Sequence, residues 1–578
     1  MLLVTTALLD TWEGENEDLL FLGEWCKTYE NSKIWNNRNT KTLTDPWSNR
    51  LSRQAAYNYT ANLRESILID LVNSLNKFHN KNFSINFWRT LIGPWLNIYV
   101  NSVYHKWECV RNSDLLYNIT YTNEIQIQKN ITSCDFIEFE KLIDTDEWNY
   151  SISLEIIKYK NKIKINKIYS SHKIKKEKNT KVSIKNFIKI ILKYIFILGN
   201  MFTYFNKIVI VNSYLPLKKE ILLNIKLGQL PIWYLPLPIK GIKYNFDFRQ
   251  SLSKNQKKSD DFYNFISKII FHHIPINYIE GFANLLKSGK KYLLPINPKF
   301  ICTANNHWWD DIFKSYMALN LEKCTKIKII SHGGGGKFLY DDFNDHEIKI
   351  SDKYFTWGWG FNDNNKCYKG ILVKTVSTEI KRNNPCSIIL VTYSEHRYLS
   401  QLSSMPSYDQ FINIYLEDQY TFVKSINFAL LQKLKVRLHH DLGNQIKSRF
   451  NDNFKELLYS TKEENFFNLL KSAKVVVITY NCTTIVETLA LNIPTIVFWD
   501  ENVWELSPNA KKVFENLYEN KIFHKSPLSA AAHLNNIFEN IEYWWNSSTV
   551  KASRKIFIEN FGKESNTPLK VISDFIKK

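Results

Sequence analysis

Residues 474–487 read KVVVITYNCTTIVE, an apolar run followed by polar residues and then by a segment with helical spacing. β-branched side chains fill 475–478, which favours a buried strand. We predict a helix over 483–491 and the next strand over 494–499. A strand, a helix and a second strand in this order form the repeating unit of a parallel sheet with crossover helices.

The same alternation extends through the rest of the C-terminal part. Strands are predicted at 387–393 and 435–438, with helices from residue 410 and over 463–471. We therefore predict a Rossmann-like domain over residues 385–578, closed by helices from Ser529 onward.

Residues 1–380 show a similar but less regular pattern. Apolar runs at 2–7, 207–211 and 326–330 predict strands of a parallel α/β sheet, so this part is predicted to be a second Rossmann-like domain with helical additions. A basic, partly helical insertion is expected at about 147–205, in which the Lys-Ile alternation at 162–167 suits an exposed strand. The Gly-Pro pair at 93–94 predicts a turn or a helix start.

A glycine-rich loop follows the strand predicted at 326–330. The strand ends in a serine, then His332, then four consecutive glycines at 333–336. Bare backbone amides form a concave donor surface that suits phosphate or another oxyanion, so Gly333 and Gly334 are predicted donor contacts. The alternative is a flexible glycine turn beside a core histidine.

The start of the helix predicted at 483–491 is a second candidate anion site. Backbone amides at a helix N-terminus favour phosphate, and Thr483 and Thr484 add hydroxyl donors. Glu487, one turn further on, is placed to accept the two hydroxyls of a ribose. The alternative is ordinary helix capping by Thr483 and Glu487.

Arginine and histidine side chains lie at the end of the neighbouring strand, which is predicted at 435–438. Arg437 can bind phosphate bidentately, and a histidine can donate to it. Only one of His439 and His440 faces the cleft if the strand continues. We favour His440, since it lies further past the strand end; continuation of the strand would select His439 instead.

Polar residues at the ends of N-terminal strands are candidates for acid–base chemistry or acceptor binding. An apolar cluster at 19–23 leads into Glu24 and Trp25, and Thr6 ends the first strand. Transfer to a hydroxyl requires a base, which a histidine or carboxylate supplies. We predict His332, Glu24 and Glu347 as catalytic residues, and Thr6 and Trp25 as acceptor contacts. Glu24 is equally explained as a structural partner of an arginine.

The formal net charge of the 578-residue chain is +20, and basic residues are dense at 158–193. Nucleic acid, an anionic membrane and anionic small substrates are all compatible with this charge. The chain lacks zinc-finger and RNA-recognition spacings, so nucleic acid is not expected as a partner. Residues 187–205 include Lys189 and Lys193, which favours a buried or amphipathic helix; a helix lying on a membrane surface is the second interpretation.

The cysteines and the N-terminus indicate a cytoplasmic protein. The eight cysteines are scattered and form no CxxC pair. The first residues lack the basic segment of a signal peptide. No motif that binds a metal or a nucleoside triphosphate occurs at the end of a predicted strand, so we expect a metal-independent site without a cofactor.

Residues spread along the whole chain resemble the transferases of the leptospiral O-antigen type, a family found in bacterial surface-polysaccharide gene clusters. They are LVTTA at 3–7, LGEWC at 22–26, GPWL at 93–96, HGG at 332–334, EIKISD at 347–352, WGW at 357–359 and TIVETLALNIPTI at 484–496. The resemblance implies a GT-B-like glycosyltransferase in which two Rossmann-like domains face each other across a cleft.

This resemblance implies transfer of a sugar from a nucleotide-activated donor to a hydroxyl of a surface polysaccharide. Arg437, His440, Thr483, Thr484 and Glu487 would hold the donor's phosphates and ribose. The N-terminal half would bind a glycan or lipid-linked glycan acceptor, with His332 at the cleft. Peripheral contact with the anionic inner-membrane surface is a further expectation.

Two other functions remain compatible with the sequence. The first is transfer from a CMP-linked acidic sugar or a CDP-linked polyol phosphate, which the same basic and hydroxyl groups would suit. The second is a non-catalytic, basic scaffold protein of the polysaccharide machinery.

Overall fold

Three parallel β-sheets form the framework of this computed structural model. It describes residues 1–14, 18–127, 131–172, 195–235, 239, 241–252, 258–333, 342–360, 365–460 and 464–578. Apolar runs fill the central strands of each sheet, and helices cover the sheet faces, as parallel sheets require.

The first sheet has five parallel strands in the order β3-β2-β1-β4-β5. Its central strands β1 and β2 are only three residues long and fully buried. The strands are β1 (Leu2–Val4), β2 (Leu19–Phe21), β3 (Thr40–Thr42), β4 (Tyr121–Ile127) and β5 (Lys164–His172).

The second sheet also has five parallel strands, in the consecutive order β10-β9-β8-β7-β6. Strand β8 lies at its centre and carries His332 beyond its carboxyl end. The strands are β6 (Ile208–Val211), β7 (Phe300–Thr303), β8 (Lys326–Ile330), β9 (Lys353–Thr356) and β10 (Cys367–Lys369).

The third sheet has six parallel strands in the order β13-β12-β11-β14-β15-β16. Counted within this sheet the order is 3-2-1-4-5-6, the Rossmann arrangement, in which ligands bind where the strand order reverses. That point lies between β11 and β14. The strands are β11 (Ser387–Val391), β12 (Leu434–Arg437), β13 (Leu458–Tyr459), β14 (Ala473–Ile478), β15 (Thr495–Phe498) and β16 (Phe523–His524).

Helices connect and cover these strands. Those of seven or more residues are Arg50–His79, Ile85–Leu116, Phe136–Leu142, Asp146–Lys160, Leu217–Lys226, Phe246–Leu252, Asp261–His273, Phe282–Ser288, Asp311–Leu321, Asp342–Ile350, Leu416–Ser425, Ile446–Asn453, Thr483–Ala490, Pro508–Glu519, Pro527–Ile537, Ser548–Phe561 and Pro568–Lys577. The described part of the chain contains no helix with both the length and the apolar character that a membrane span requires.

The predicted fold class, α/β with parallel, Rossmann-like sheets, is confirmed. Residues 1–380 contain two such sheets, where the sequence suggested one. Strand β5 of the first sheet lies within the basic insertion expected at 147–205, so part of that segment belongs to the sheet. Residues 173–194 lie outside the described part, and the division of the chain into domains stays a prediction.

The helix Ile85–Leu116 runs through the position where Gly93 and Pro94 predicted a turn or a helix start. The helix Arg50–His79 packs against it from the side of the first sheet, and the helix Asp311–Leu321 from the side of the second. This burial outweighs the local preference of the Gly-Pro pair for a turn. The prediction of a turn or a helix start at Gly93 and Pro94 was wrong, because packing against the neighbouring helices determines the local structure.

Gly93 allows a second helix to approach closely. A Cβ atom built on Gly93 would lie 2.4 Å from Cε1 of His346, which is buried on the helix Asp342–Ile350. This contact positions the helix that also carries Glu347.

We expect Gly93→Ala to destabilise the protein by up to about 2 kcal/mol, because the added methyl group overpacks the contact with His346 at a cost of about 1–3 kcal/mol. The gain in helix propensity, about 1 kcal/mol, offsets part of this cost. Urea unfolding of both variants would measure the effect, with Asn112→Ala on the same helix as the control. Equal stability of Gly93→Ala and the wild type would contradict the close packing.

Candidate active site

The glycine loop of the second sheet meets the helix that begins at Thr483 in the third sheet. A Cβ atom built on Gly333 would lie 2.9 Å from Thr483 Oγ1 and 4.0 Å from Lys374 Nζ. The carboxyl edges of two sheets therefore come together at the two segments that the sequence singled out. Gly334, also a predicted donor contact, lies outside the described residues.

His332 and Glu347, both predicted as catalytic, are in contact. His332 Nδ1 lies 3.3 Å from Glu347 Oε1. Glu347 is fully buried, whereas the side chain of His332 is 28% exposed. The carboxylate therefore lies behind the imidazole, on the side away from solvent.

Two further residues hold the Glu347 carboxylate. His307 Nε2 lies 3.1 Å from Oε1, and Tyr354 donates its hydroxyl to Oε2 at 2.6 Å. Burial raises the pKa of Glu347, but the hydrogen bonds with His307 and His332 outweigh burial, and the resulting pKa lies below the ordinary value. Glu347 is thus a carboxylate at neutral pH.

An ionised Glu347 determines the tautomer of His332. It accepts a hydrogen bond from Nδ1–H, which leaves the lone pair of the neutral ring on Nε2. A histidine oriented in this way by a buried carboxylate is suited to act as a general base.

The strand ends of the third sheet enclose a cleft of about 640 Å³. Its position beside β11 and β14 is where the strand order reverses, as expected for a Rossmann-type ligand site. Four of the predicted donor-binding residues line this cleft. They are Arg437, His440, Thr484 and Glu487.

Thr484 and Glu487 are held by neighbours at the start of their helix. The hydroxyls of Thr484 and Tyr480 are 2.6 Å apart. Glu487 Oε1 lies 3.8 Å from Lys374 Nζ. Burial raises the pKa of Glu487, and Lys374 partly opposes this shift. The N-cap of this helix is Cys482, which makes no capping hydrogen bond through its side chain. Thr483, the N-cap of the capping interpretation, is instead the first residue of the helix.

The basic wall of the cleft contains Arg437 and both histidines of the pair. Arg437 donates from Nη1 to the Glu464 carbonyl at 3.0 Å, and its guanidinium lies 5.4 Å from the ring centroid of Phe466. His439 and His440 both line the cleft, so the expectation that only one faces it does not hold. Strand β12 ends at Arg437, and the alternation of a strand no longer applies beyond it.

Thr6, Glu24 and Trp25 lie at the carboxyl edge of the first sheet, and no described contact joins them to His332. Glu24 forms an ion pair with Lys27 at 2.7 Å, so its structural partner is a lysine and not the arginine that the structural interpretation suggested. Thr6 is fully buried. Trp25 is buried, donates from Nε1 to the Thr5 carbonyl at 3.0 Å, and lines a separate cavity. Residues 1–380 contain two sheets with separate carboxyl edges. Thr6, Glu24 and Trp25 lie at the edge of the first sheet, and the His332–Glu347 pair lies at the edge of the second.

Sequence reasoning missed His307, Tyr354, Lys374 and Tyr214 as members of the site. Tyr214 lies beside His332, with ring centroids 6.2 Å apart, and Lys374 Nζ lies 5.1 Å from the Tyr214 ring centroid. His307 and Tyr214 were within reach of the strand-end argument, because they follow β7 and β6 by four and three residues. Tyr354 and Lys374 are brought in by tertiary contacts that no local pattern indicates. No group of three metal-ligating side chains occurs among the residues that the structure describes.

We expect Gly333→Ala to separate the second and third sheets at this contact and to lower activity by about 5- to 150-fold, since overpacking costs about 1–3 kcal/mol and 1.4 kcal/mol corresponds to a factor of ten. Steady-state kinetics of Gly333→Ala, Thr483→Ala and the double variant would test this. Removing Thr483 Oγ1 relieves the clash, so the double variant should be more active than Gly333→Ala alone. Equal activity of these two would argue against the contact.

Parallel sheets with strand ends converging on a ligand cleft and a histidine–carboxylate pair define an α/β enzyme of the Rossmann type. The sequence model of a family described as LIC12162 family transferase matches residues 1–576. The chain belongs to this family of transferases, which confirms the family resemblance predicted from the sequence. No curated protein matches the chain.

Several solved structures are similar to part of this chain. The wall teichoic acid polymerase TagF has a TM-score of 0.36 and 12% identity over 68% of this chain and 96% of its own. TarM has a TM-score of 0.34 and 10% identity over 51% of this chain and 58% of TarM, less than two thirds of that protein. MurG of Acinetobacter baumannii has a TM-score of 0.29 and 9% identity over 61% of this chain and 86% of its own. Similarities this weak carry no inference about activity.

Proposed function

We propose that this transferase moves a sugar from a nucleotide-activated donor to a hydroxyl of a surface-polysaccharide acceptor. The observation that carries the proposal is the approach of Gly333 to Thr483, because Gly333 directly follows His332 and Thr483 directly precedes Thr484, which lines the 640 Å³ cleft. A base and a phosphate-binding surface are the two elements that such a transfer needs.

The donor's nucleotide is assigned to the cleft of the third sheet. Glu487 accepts hydrogen bonds from ribose hydroxyls, while Thr484, Arg437 and His440 donate to phosphate oxygens. The N-terminus of the helix Thr483–Ala490 adds backbone donors and a favourable dipole.

In the proposed reaction, His332 Nε2 takes the proton of the acceptor hydroxyl. The acceptor oxygen then forms a bond to the anomeric carbon of the sugar as the bond from that carbon to the phosphate oxygen breaks. The leaving nucleotide carries the negative charge, which Arg437, Lys374 and the helix N-terminus stabilise. Since protein groups supply this stabilisation, we propose that transfer requires no metal ion or cofactor.

Calorimetry with UDP, GDP, CDP and CMP, each with and without EDTA, tests the donor assignment. We expect either UDP or GDP to bind, equally well with EDTA, and Glu487→Gln to weaken its binding while the exposed control Glu519→Gln does not. Preference for CMP or CDP would instead favour a CMP-linked acidic sugar or a CDP-linked polyol phosphate. Binding of none of the four would support a non-catalytic scaffold.

We also propose that the protein contacts an anionic membrane surface from the cytoplasmic side. Met201, Phe202 and Phe205 are 60%, 81% and 86% exposed, next to Lys207. Exposed aromatic side chains beside lysines suit the interface of an anionic bilayer.

We expect Phe202→Asp/Phe205→Asp to reduce co-sedimentation with phosphatidylglycerol-containing vesicles at least tenfold, because both rings lose their place in the interface and each added carboxylate is repelled by the lipid. The control is Phe428→Asp, which changes a residue that is 74% exposed elsewhere on the surface. Unchanged sedimentation of the double variant would refute this contact.

A further inference from the structure

A second cavity, of about 270 Å³, lies between the carboxyl edge of the first sheet and the loop that follows β11. Trp25 and His105 line one side, and residues between Tyr393 and Tyr408 line the other. His439 lines both this cavity and the donor cleft, so the two spaces are neighbours. This volume lies just below the roughly 300–1,000 Å³ of ligand pockets, so the cavity suits one small unit such as a monosaccharide.

His105 is one of the residues that line this cavity, and it carries a hydrogen-bond acceptor without a partner among the described residues. The residue is 1% exposed, and its Nε2 lies 2.9 Å from Asp45 Oδ2. Its Nδ1 has no hydrogen-bond partner within the described residues. Leaving such a buried atom unpaired is unfavourable. A ligand hydroxyl that donates to Nδ1 would remove this cost.

The protonation of His105 fixes which nitrogen accepts. Burial lowers the pKa of His105, although Asp45 opposes the shift. The neutral ring donates from Nε2–H to Asp45 and keeps its lone pair on Nδ1. The rings of Trp25 and Trp47, with centroids 5.2 Å and 4.6 Å from that of His105, hold the imidazole in place.

The charged side chains that line the cavity already form ion pairs with other residues, which favours an uncharged ligand. A charged ligand would have to break one of these pairs, and leaving a buried charge unpaired is costly. The pairs that involve wall cations are Arg53–Glu505 at 2.8 Å, His396–Asp144 at 2.9 Å and Arg397–Asp146 at 2.5 Å. Arg397 Nε has no hydrogen-bond partner in the described part of the chain, so it is a donor for a ligand oxygen.

We propose that this cavity binds one neutral sugar unit of the acceptor glycan, through a hydroxyl that donates to His105 Nδ1 and an oxygen that accepts from Arg397 Nε. The identification of the sugar as part of the acceptor rests on the proposed glycosyl transfer. The site itself rests on the cavity, the unpaired nitrogens and the paired charges.

Saturation-transfer NMR of the full-length protein with the methyl glycosides of glucose, galactose, N-acetylglucosamine and rhamnose tests the proposal. At least one glycoside should receive saturation from the wild-type protein. His105→Gln should abolish the signal, because glutamine retains a donor for Asp45 but lacks the Nδ1 acceptor. Ser400→Phe fills the cavity from its wall without changing the His105–Asp45 pair, and it should abolish the signal too.

Ser460→Phe, in the donor cleft, is the matched control. It should impair nucleotide binding and leave the glycoside signal intact, whereas Ser400→Phe should do the reverse. Absence of any glycoside signal from the wild type, or retention of the signal in both His105→Gln and Ser400→Phe, overturns the proposal. Failure of all nucleotides to bind, with glycosides behaving as expected, would refute the donor assignment alone.

Discussion

His332→Ala is expected to lower kcat by about 10²–10⁴-fold, the usual contribution of a positioned general base. The donor nucleotide should bind with unchanged affinity, since His332 is not among the residues that line the donor cleft. Steady-state kinetics with the donor identified by calorimetry, together with the nucleotide's Kd, would separate the two effects. A fall in kcat without a change in Kd is the signature of a group that acts in the transition state.

A control for this variant is His272→Ala, which changes a partly exposed histidine at the end of the helix Asp261–His273. It should retain wild-type kcat. If His332→Ala kept more than half of the wild-type kcat, the base would have to be sought elsewhere.

Glu347→Ala is expected to destabilise the folded protein by about 3–5 kcal/mol, the cost of removing one partner from a buried charged network. The methyl group leaves His307 and Tyr354 without the carboxylate that they contact at 3.1 Å and 2.6 Å. Glu347→Gln preserves the volume and one oxygen acceptor, so it should be less destabilising but should still lower kcat, because it no longer orients His332 by charge. Chemical unfolding of both variants, with the exposed Glu456→Ala as the control, would measure these differences.

The contribution of Glu347 also depends on pH. Its hydrogen bonds outweigh burial and hold the pKa below the ordinary value of 4.5. A depressed carboxyl pKa stabilises the folded state above that ordinary value, and the stabilisation is lost as the pH falls through the folded-state pKa. The stability gap between the wild type and Glu347→Gln should therefore be widest at neutral pH and narrow below pH 4.5. A gap that widened on acidification would show that Glu347 is protonated in the folded protein.

The third sheet could be predicted from sequence because its strands β11, β14 and β15 are long apolar runs separated by helical segments. Polar residues placed directly after such runs have to lie at one edge of a parallel sheet. This local rule found Thr484 and Glu487 at the cleft, and it placed His332 at the end of β8.

The first sheet could not be predicted as a separate unit. Strands β1 and β2 have three residues each, too few for a periodic pattern, and long helices separate them from β4. Glu24 was consequently assigned to the same site as His332, although it lies on another sheet. The contact of His307 with Glu347 depends on how helices pack on the second sheet, which no short-range pattern records.

The helix Ile85–Leu116 limits where the chain can be truncated. It packs against the helices Arg50–His79 and Asp146–Lys160 and also against Asp311–Leu321 and Asp342–Ile350. One helix thereby completes the apolar interior of two neighbouring layers. A truncation that begins after β5 would strip the second layer of that cover and expose its aromatic side chains to solvent. The N-terminal third is therefore an integral part of the molecule and not a detachable module.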